Sequence, residues 1–350
     1  MKKVFFFLVL TFQVLCLHSQ TYNVLFIGNS YTEVNNLPQM ISDMAQSTGD
    51  AINYQAHTPG GCTFQQHVTG AAPYVQQGGW DYVVLQEQSQ LPSFPISQFM
   101  NESYPYAQQL CEMIRQYNPD AKIVFYMTWG RKYGDQQNAQ FYSPLGTYEG
   151  MDSLLYARYM MMASDNHTWV SPVGYVWHYI RDHYPEVELY SSDQSHPSLV
   201  GTYAAACSFY TIFFQKNPQN INFNSSLEPS TAEMVKEVAK TLVYDSLSKW
   251  YFPVDTVESG DTTALSNFSF KKPYIWYNPV SSQIMIESED HSPFVVTLFS
   301  MEGKALSSFS DNGSAFPYHF TTTNLPSGIY LIQYKTSEGV STQKLFIGKL

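Results

Sequence analysis

Charge is sparse in this chain. Only 13% of its 350 residues are Asp, Glu, Lys or Arg, and 29 acids against 18 Lys and Arg leave a formal net charge of −11. An acidic chain without a Lys/Arg cluster is a poor partner for nucleic acid, so that class is excluded. Cysteine is scarce as well. Of the four, Cys16 falls in an apolar leader, which leaves Cys62, Cys111 and Cys207. Three thiols build no disulfide framework: at most one bridge is possible, and three buried thiols fit equally well. The sequence also lacks a Cys-x-x-Cys pair, a His-Glu-x-x-His motif, an EF-hand-like acidic loop and a phosphate loop. No metal and no cofactor is therefore expected. Beyond Leu17 there is no apolar run long enough to span a bilayer, and repeats and low-complexity tracts are missing.

What is present is apolar and aromatic. Apolar residues make up 44% and aromatic residues 16%, with 27 Tyr and 23 Phe. That composition is globular and rich in rings able to stack on flat ligands. The length suits two domains. Residues 1–20 place Lys2 and Lys3 before an apolar run from Val4 to Leu17, the pattern of a secretory signal peptide with cleavage near Ser19 or Gln20. Losing Lys2 and Lys3, with no acid among residues 1–20, takes the charge to −13. The expected product is exported to the periplasm, cell surface or medium and is not an integral membrane protein.

After the leader, short apolar runs alternate with longer amphipathic stretches. "YNVLFIG" (22–28), "DYVVLQ" (81–86), "AKIVFYMTW" (121–129) and "WVSPVG" (169–174) read as strands buried on both faces. Helices are predicted over 37–47, 101–117, 149–164, 175–184, 197–215 (with Pro197 in its first turn) and 230–249. Such alternation predicts an α/β domain with a parallel sheet over residues 21–250. A polar stretch without periodicity follows, read as a linker over 251–272. Residues 273–350 hold short alternating segments with turn signals at Glu302-Gly303, Asn312-Gly313 and Glu338-Gly339, which predict a small all-β sandwich.

Two motifs carry chemistry. Gly28-Asn29-Ser30 follows the first strand, at the sheet edge where α/β folds bind ligands. A serine there can meet a substrate with its own N–H free for an oxyanion, although the tripeptide alone is equally a plain turn. Far downstream, Asp193 and His196 stand three apart in a polar loop before the Pro197 helix. Within one loop a carboxylate can fix the imidazole tautomer and stabilise the imidazolium. Without a serine to serve, the pair is a loop and a helix cap.

Together, Gly28-Asn29-Ser30 and Asp193-Gln194-Ser195-His196-Pro197 resemble the SGNH or GDSL-like esterase and lipase superfamily. Within it, "LFIGNSYT", "NNLP", "WDYVVLQEQSQ" and "MTWGR" look like a bacterial subgroup, over roughly residues 22–215. The resemblance implies a three-layer α/β/α fold and an ester hydrolase with Ser30 as nucleophile, His196 as base and Asp193 as its partner. It also implies an oxyanion hole from the N–H groups of Ser30 and Gly61, with Gly60 as the alternative to Gly61. The family's third block is Gly-x-Asn; here Gln86 and Gln88 stand at those places, so Gln88, or else Gln86, supplies the side-chain donor. Asn29, Glu87, Trp129 and Arg131 are candidates for binding substrate. Trp129 either stacks on a sugar or closes the core, and Arg131 either binds a hydroxyl or carboxylate or pairs with an internal acid. His67 and Tyr133 are weaker pocket candidates.

The tail resembles the type IX secretion sorting domain of Bacteroidetes, through Asn278-Pro279, Gly303-Lys304, Leu325 to Tyr330 and Lys344 to Lys349. That resemblance implies an export address in contact with secretion machinery. The expected function is a secreted serine esterase acting on O-acyl, foremost O-acetyl, groups of carbohydrate. The alternatives are a lipid or general short-chain acyl esterase and, from another class, a glycan-binding protein on a hydrolase scaffold.

Overall fold

Five strands pair side by side and all parallel: β1 (Thr21–Ile27), β2 (Ala51–His57), β3 (Tyr82–Leu85), β4 (Lys122–Tyr126) and β5 (Trp169–Ser171), in the order β2-β1-β3-β4-β5. This computed structural model describes residues 19–253 and 272–347, apart from 279–281, 302, 314–316, 322–324 and 327. The leader expected over residues 1–20 and the linker over 251–272 lie almost wholly outside the described residues. Val24 to Ile27 and Val83 to Leu85 are fully buried, which is why these strands are continuous apolar runs in the sequence. Strand β2 was not expected. It lies on the sheet edge and buries only Ile52 among its seven residues, so its sequence, AINYQAH, carries no apolar run.

Two groups of helices flank the sheet. One is α2 (Leu37–Ser47), α8 (Val173–His183), α9 (Leu199–Phe214) and α10 (Pro229–Leu242), which pack on one another. The other is α3 (Phe64–Gly70), α4 (Ala72–Gln76), α5 (Ile96–Glu102), α6 (Tyr104–Tyr117) and α7 (Tyr148–Asp165). A single-turn helix, α1 (Ser30–Glu33), leads from β1 towards α2. Helix α9 is buried on all sides from Gly201 to Phe214, so it shows no amphipathic stripe. The helix predicted over 101–117 is in fact α5 and α6, broken at Ser103. Pro105 lacks the N–H that a continuous helix would need there. The one predicted over 197–215 begins two residues later than expected, at Leu199, with Ser198 rather than a proline turn as its cap: Gly201 N–H donates to Ser198 Oγ at 3.1 Å. That over 230–249 ends at Leu242 and continues as 3-10 turns to Trp250.

Beyond the linker, antiparallel strands form two sheets. The first is β6 (Tyr274–Asn278), β7 (Gln283–Glu287) and β10 (Tyr318–Thr321), in the order β10-β7-β6. The second is β8 (Phe294–Phe299), β9 (Ala305–Asp311), β11 (Gly328–Lys335) and β12 (Val340–Ile347), in the order β12-β11-β8-β9. Ile284, Ile286, Val296, Leu298, Ile332 and Tyr334 form a core of their own. Cys62, Cys111 and Cys207 are all free and buried.

The start of α8 presses on the exit of β4. Gly174 N–H donates to Met127 O at 2.9 Å, and a Cβ on Gly174 would lie 2.1 Å from Thr128 O. Gly174→Ala is therefore expected to cost about 1–3 kcal/mol of stability by overpacking. A denaturant midpoint equal to that of the wild type would show that this segment yields freely.

Candidate active site

The chain leaves β1 through a turn closely packed at Gly28. A Cβ on Gly28 would lie 2.6 Å from Thr32 Oγ1 and 2.7 Å from Gln86 Oε1. Asn29, nearly buried, then fixes the turn with every polar group it has. Its N–H donates to Gln86 Oε1 (3.0 Å), its Nδ2 to Cys62 O (3.1 Å), and its Oδ1 accepts from Tyr31 N–H (3.2 Å). Ser30 is left as the first residue of α1, half-buried, with its Oγ 2.8 Å from His196 Nε2.

His196 stands on a loop closed by the antiparallel bridge between Tyr190 and Pro197 and by Ser191 N–H donating to His196 O at 2.8 Å. Asp193 organises that loop from within. Its Oδ1 accepts from the N–H groups of Ser195 and His196, both at 3.0 Å, and its Oδ2 lies 2.5 Å from His196 Nδ1. Gln194 takes a left-handed φ of 63° to let the loop turn back. Partial burial works to raise the Asp193 pKa, but the hydrogen bonds from His196 and the two N–H groups prevail and hold it below the usual carboxylate value. With the proton on Nδ1, His196 donates to Asp193 and offers Nε2 as acceptor to the Ser30 hydroxyl. Ser30, His196 and Asp193 thus lie in one hydrogen-bonded line.

The remaining predicted residues separate into frame and surface. Gln86 is buried with both ends occupied: Oε1 accepts from Asn29 N–H and from Thr32 Oγ1 (2.9 Å), while Nε2 donates to Asn29 Oδ1 (2.8 Å) and Glu87 O (2.6 Å). Gln88 is half-buried and folds on its own loop. Its Oε1 accepts from Gln90 N–H at 2.7 Å, and its Nε2 donates to Gln90 Oε1 at 3.1 Å. Glu87, a candidate for meeting substrate, instead has no exposure. Its Oε1 accepts from Phe64 N–H (2.8 Å) and Gln88 N–H (2.7 Å), and its Oε2 from the Ser103 hydroxyl (2.7 Å). Asn29 is likewise tied into the turn rather than open to a ligand. Gly61, with φ of 67°, and Gly60 are exposed beside Cys62, with open space where a Cβ would be.

Of the two roles open to Trp129, the structure takes the core. Its ring has no exposure and lies between Tyr31 (centroids 4.7 Å, 2° apart) and Trp177 (3.7 Å, 10°), so neither face is free for a sugar. Its Nε1 donates to Ser195 O at 3.0 Å, which ties it to the His196 loop. Arg131 is partly exposed and pairs with the internal acid Asp135 at 3.4 Å. His67 is wholly buried beside His57 (3.1 Å between Nδ1 atoms), and burial pushes its pKa down to about 4. Tyr133 is 62% exposed. Three further residues frame the site without a sequence signal of their own. Tyr31 Oη lies 2.6 Å from Ser195 Oγ. Asp152 accepts from Gly130 N–H (3.0 Å) and lies 2.8 Å from His178 Nδ1. Burial would lower the His178 pKa, but Asp152 and Asp182 on either side raise it overall. Among the described residues no group of His, Cys, Asp and Glu could hold a metal ion.

Comparison with known proteins bears on the fold and the tail. Residues 274–348 match the family model of the secretion system C-terminal sorting domain, which indicates export by the type IX route. No curated protein matches the chain. Among solved structures, a Bacteroides uniformis protein of the DUF4886 family is 16% identical, covers 65% of this chain and 95% of its own, and superposes with a TM-score of 0.55. That likeness establishes the shared fold. A Slackia heliotrinireducens protein assigned to the SGNH hydrolases is 23% identical, covering 54% of this chain and 97% of its own at a TM-score of 0.45. A catalytic mutant of an acetylxylan esterase from Geobacillus stearothermophilus is 14% identical, covering 59% and 96% at 0.40. No helix among the described residues is long and apolar enough to cross a membrane.

Burial makes Glu87 a pH-sensitive strut. Desolvation outweighs the hydrogen bonds from Ser103, Gln88 and Phe64 and pushes its pKa from 4.5 up to about 7. The folded state therefore binds this proton more tightly than the unfolded chain, and stability falls as pH rises from 4.5 towards 7. Glu87→Gln keeps an acceptor for the two N–H groups and has no proton to lose. Its melting temperature should gain on the wild type across that window, and a difference independent of pH would contradict the assignment.

Proposed function

We propose that this chain is an exported serine ester hydrolase whose substrates are O-acyl, foremost O-acetyl, esters of carbohydrate. The observation that carries the reading is the line from Ser30 Oγ to His196 Nε2 at 2.8 Å and from His196 Nδ1 to Asp193. In this mechanism His196 Nε2 takes the hydroxyl proton as Ser30 Oγ attacks the ester carbonyl, and Asp193 stabilises the imidazolium that forms. The N–H groups of Ser30 and Gly61 donate to nothing among the described residues and so are available to the oxyanion. Gln88 Nε2, with one hydrogen committed to Gln90, offers its second as the side-chain donor. When the tetrahedral intermediate collapses, the alcohol leaves with the proton from His196. Water then repeats the sequence on the acyl-enzyme and frees the acid.

The carbohydrate assignment is supported by the surroundings of that line. Arg131 keeps part of its guanidinium at the surface, and the exposed ring of Tyr133 follows it on a segment joined to the His196 loop by Lys132 N–H donating to Gln194 O at 3.0 Å. A ring and a cation on a segment joined to the His196 loop suit a polar sugar. Export to the cell surface or medium brings the enzyme to such glycans, and the sorting tail is the part that would meet the secretion machinery.

Full-length Ser30→Ala and His196→Ala are expected to release no p-nitrophenol from p-nitrophenyl acetate. Asp193→Asn should lose about 10⁴ in kcat through the wrong tautomer. Release of acetate from an acetylated oligosaccharide, faster than butyrate from its butyryl counterpart, is the expected preference. Wild-type rates equal to those of the Ser30 and His196 variants would overturn the esterase reading and favour glycan binding.

The two glutamines are separable. Gln88→Ala is expected to lower kcat by about 10²–10³ and to lower the melting temperature less than Gln86→Ala does. Gln86→Ala, which strips partners from Asn29 and Thr32, should lower the melting temperature first. The reverse pattern would exchange their roles.

A further inference from the structure

We infer that Asp135 and Gln90 are positioning residues for the side-chain donor of the oxyanion hole, and that together they hold the Gln88 amide in one orientation. This rests on the role proposed above for Gln88. The three side chains form one hydrogen-bonded row that joins the stretch leaving β3 to the stretch leaving β4. Gln88 Nε2 donates to Gln90 Oε1 at 3.1 Å, and Gln90 Nε2 donates to Asp135 Oδ2 at 2.6 Å.

A primary amide keeps its shape when turned end for end, so its sense is set by neighbours that work in one sense only. Both ends of the row have such a neighbour. At the Gln88 end, the backbone N–H groups of Gln90 (2.7 Å) and Leu91 (3.2 Å) can only donate, and they fix Gln88 Oε1 towards themselves. At the other end, the Asp135 carboxylate can only accept, and it fixes Gln90 Nε2 towards itself. The two settings agree in the middle, where Gln90 Oε1 is left to receive Gln88 Nε2. Turning Gln90 over would set two NH2 groups against each other on one side and an amide oxygen against a carboxylate on the other. With one hydrogen of Gln88 Nε2 committed to Gln90, the second has a fixed direction.

The row is anchored in the frame of the domain. Gln90 O accepts from Ser93 N–H (2.8 Å) and from the Ser93 hydroxyl (2.7 Å), which closes the loop after Gln88. Asp135 is 1% exposed. It also accepts from Asn138 Nδ2 at 2.7 Å, pairs with Arg131 at 3.4 Å, and donates its own N–H to Leu145 O at 2.7 Å. Gly134 brings it there: φ is 75°, and a Cβ would lie 2.3 Å from Leu145 O. A carboxylate so far removed from water is costly to leave unpaired, which makes it a firm partner for a half-buried glutamine.

A double-mutant cycle on the full-length chain tests this. Gln90→Met keeps the length of the side chain and removes its amide; on p-nitrophenyl acetate it should lower kcat at least about tenfold with KM within about twofold of the wild type. In a Gln88→Ala background the same change should cost no more than about twofold, because Gln90 acts through Gln88. Asp135→Ala should match Gln90→Met, whereas Asp135→Asn, which keeps an oxygen for Gln90, should recover kcat to within about threefold of the wild type. Unchanged kcat in Gln90→Met, an equal loss with and without Gln88, or an Asp135→Asn as poor as Asp135→Ala overturns the inference. Should Asp135→Ala not fold, the Gln90→Met cycle decides. The 15N signals of the Gln88 side-chain amide, identified by their loss in Gln88→Ala, should move in Asp135→Ala (or in Gln90→Met, if the former does not fold) and hold their place in Asp135→Asn. If the wild type hydrolyses no ester, the functional reading fails, while those signals still decide whether Asp135 and Gln90 orient Gln88.

Discussion

The arrangement depends on a stack of three rings. Tyr31, Trp129 and Trp177 lie face on face, from the turn after β1, the exit of β4 and the second turn of α8. Aromatic pairs of this kind add about 0.5–1.5 kcal/mol each beyond the area they bury. The larger effect is geometric. Tyr31 adjoins the serine, its ring meets His196 edge-on at 5.3 Å, and Trp129 holds the carbonyl of Ser195. A serine and a histidine separated by 166 residues are brought within a hydrogen bond by rings that cannot tilt without parting from a neighbour.

Around that stack the chain uses its few charges sparingly and neutral polar groups freely. Gln86, Asn29 and Thr32 satisfy one another beneath the turn, and Glu87 collects two backbone N–H groups and a hydroxyl from three separate segments. Each donor and acceptor in this layer would be costly to bury alone, so each restricts the position of the next. The serine turn is held in place from below by amides and from the side by rings, which leaves its Oγ to the His196 imidazole.

How far this could be read in the sequence depends on the range of the interactions. Gly28-Asn29-Ser30 was legible because a strand, a tight turn and a helix start are local events. Asp193 and His196 were legible because a carboxylate three residues before an imidazole needs only one loop to reach it. The parallel sheet showed itself wherever strands are buried on both faces, and it failed to do so at β2, which buries one side chain on an edge. Whether Gln86 or Gln88 turns inward is decided by alternation along an exit loop that no pattern of residue types records. Trp129 could be ring platform or core plug until Trp177 and Tyr31 took both its faces. Arg158 and Glu287 are 129 residues apart, and nothing near either announces the other.

The three free thiols lead to a different kind of conclusion. Cys62, Cys111 and Cys207 are buried, and desolvation raises the pKa of each, that of Cys111 to about 12. A thiol held so far from its anion is a poor nucleophile in disulfide exchange, since thiolate fraction and access set the rate. The native state therefore requires no oxidant and offers little for a reductant or peroxide to attack. Moving from a reducing to an oxidising medium therefore leaves the bonds among the described residues of the folded chain unchanged.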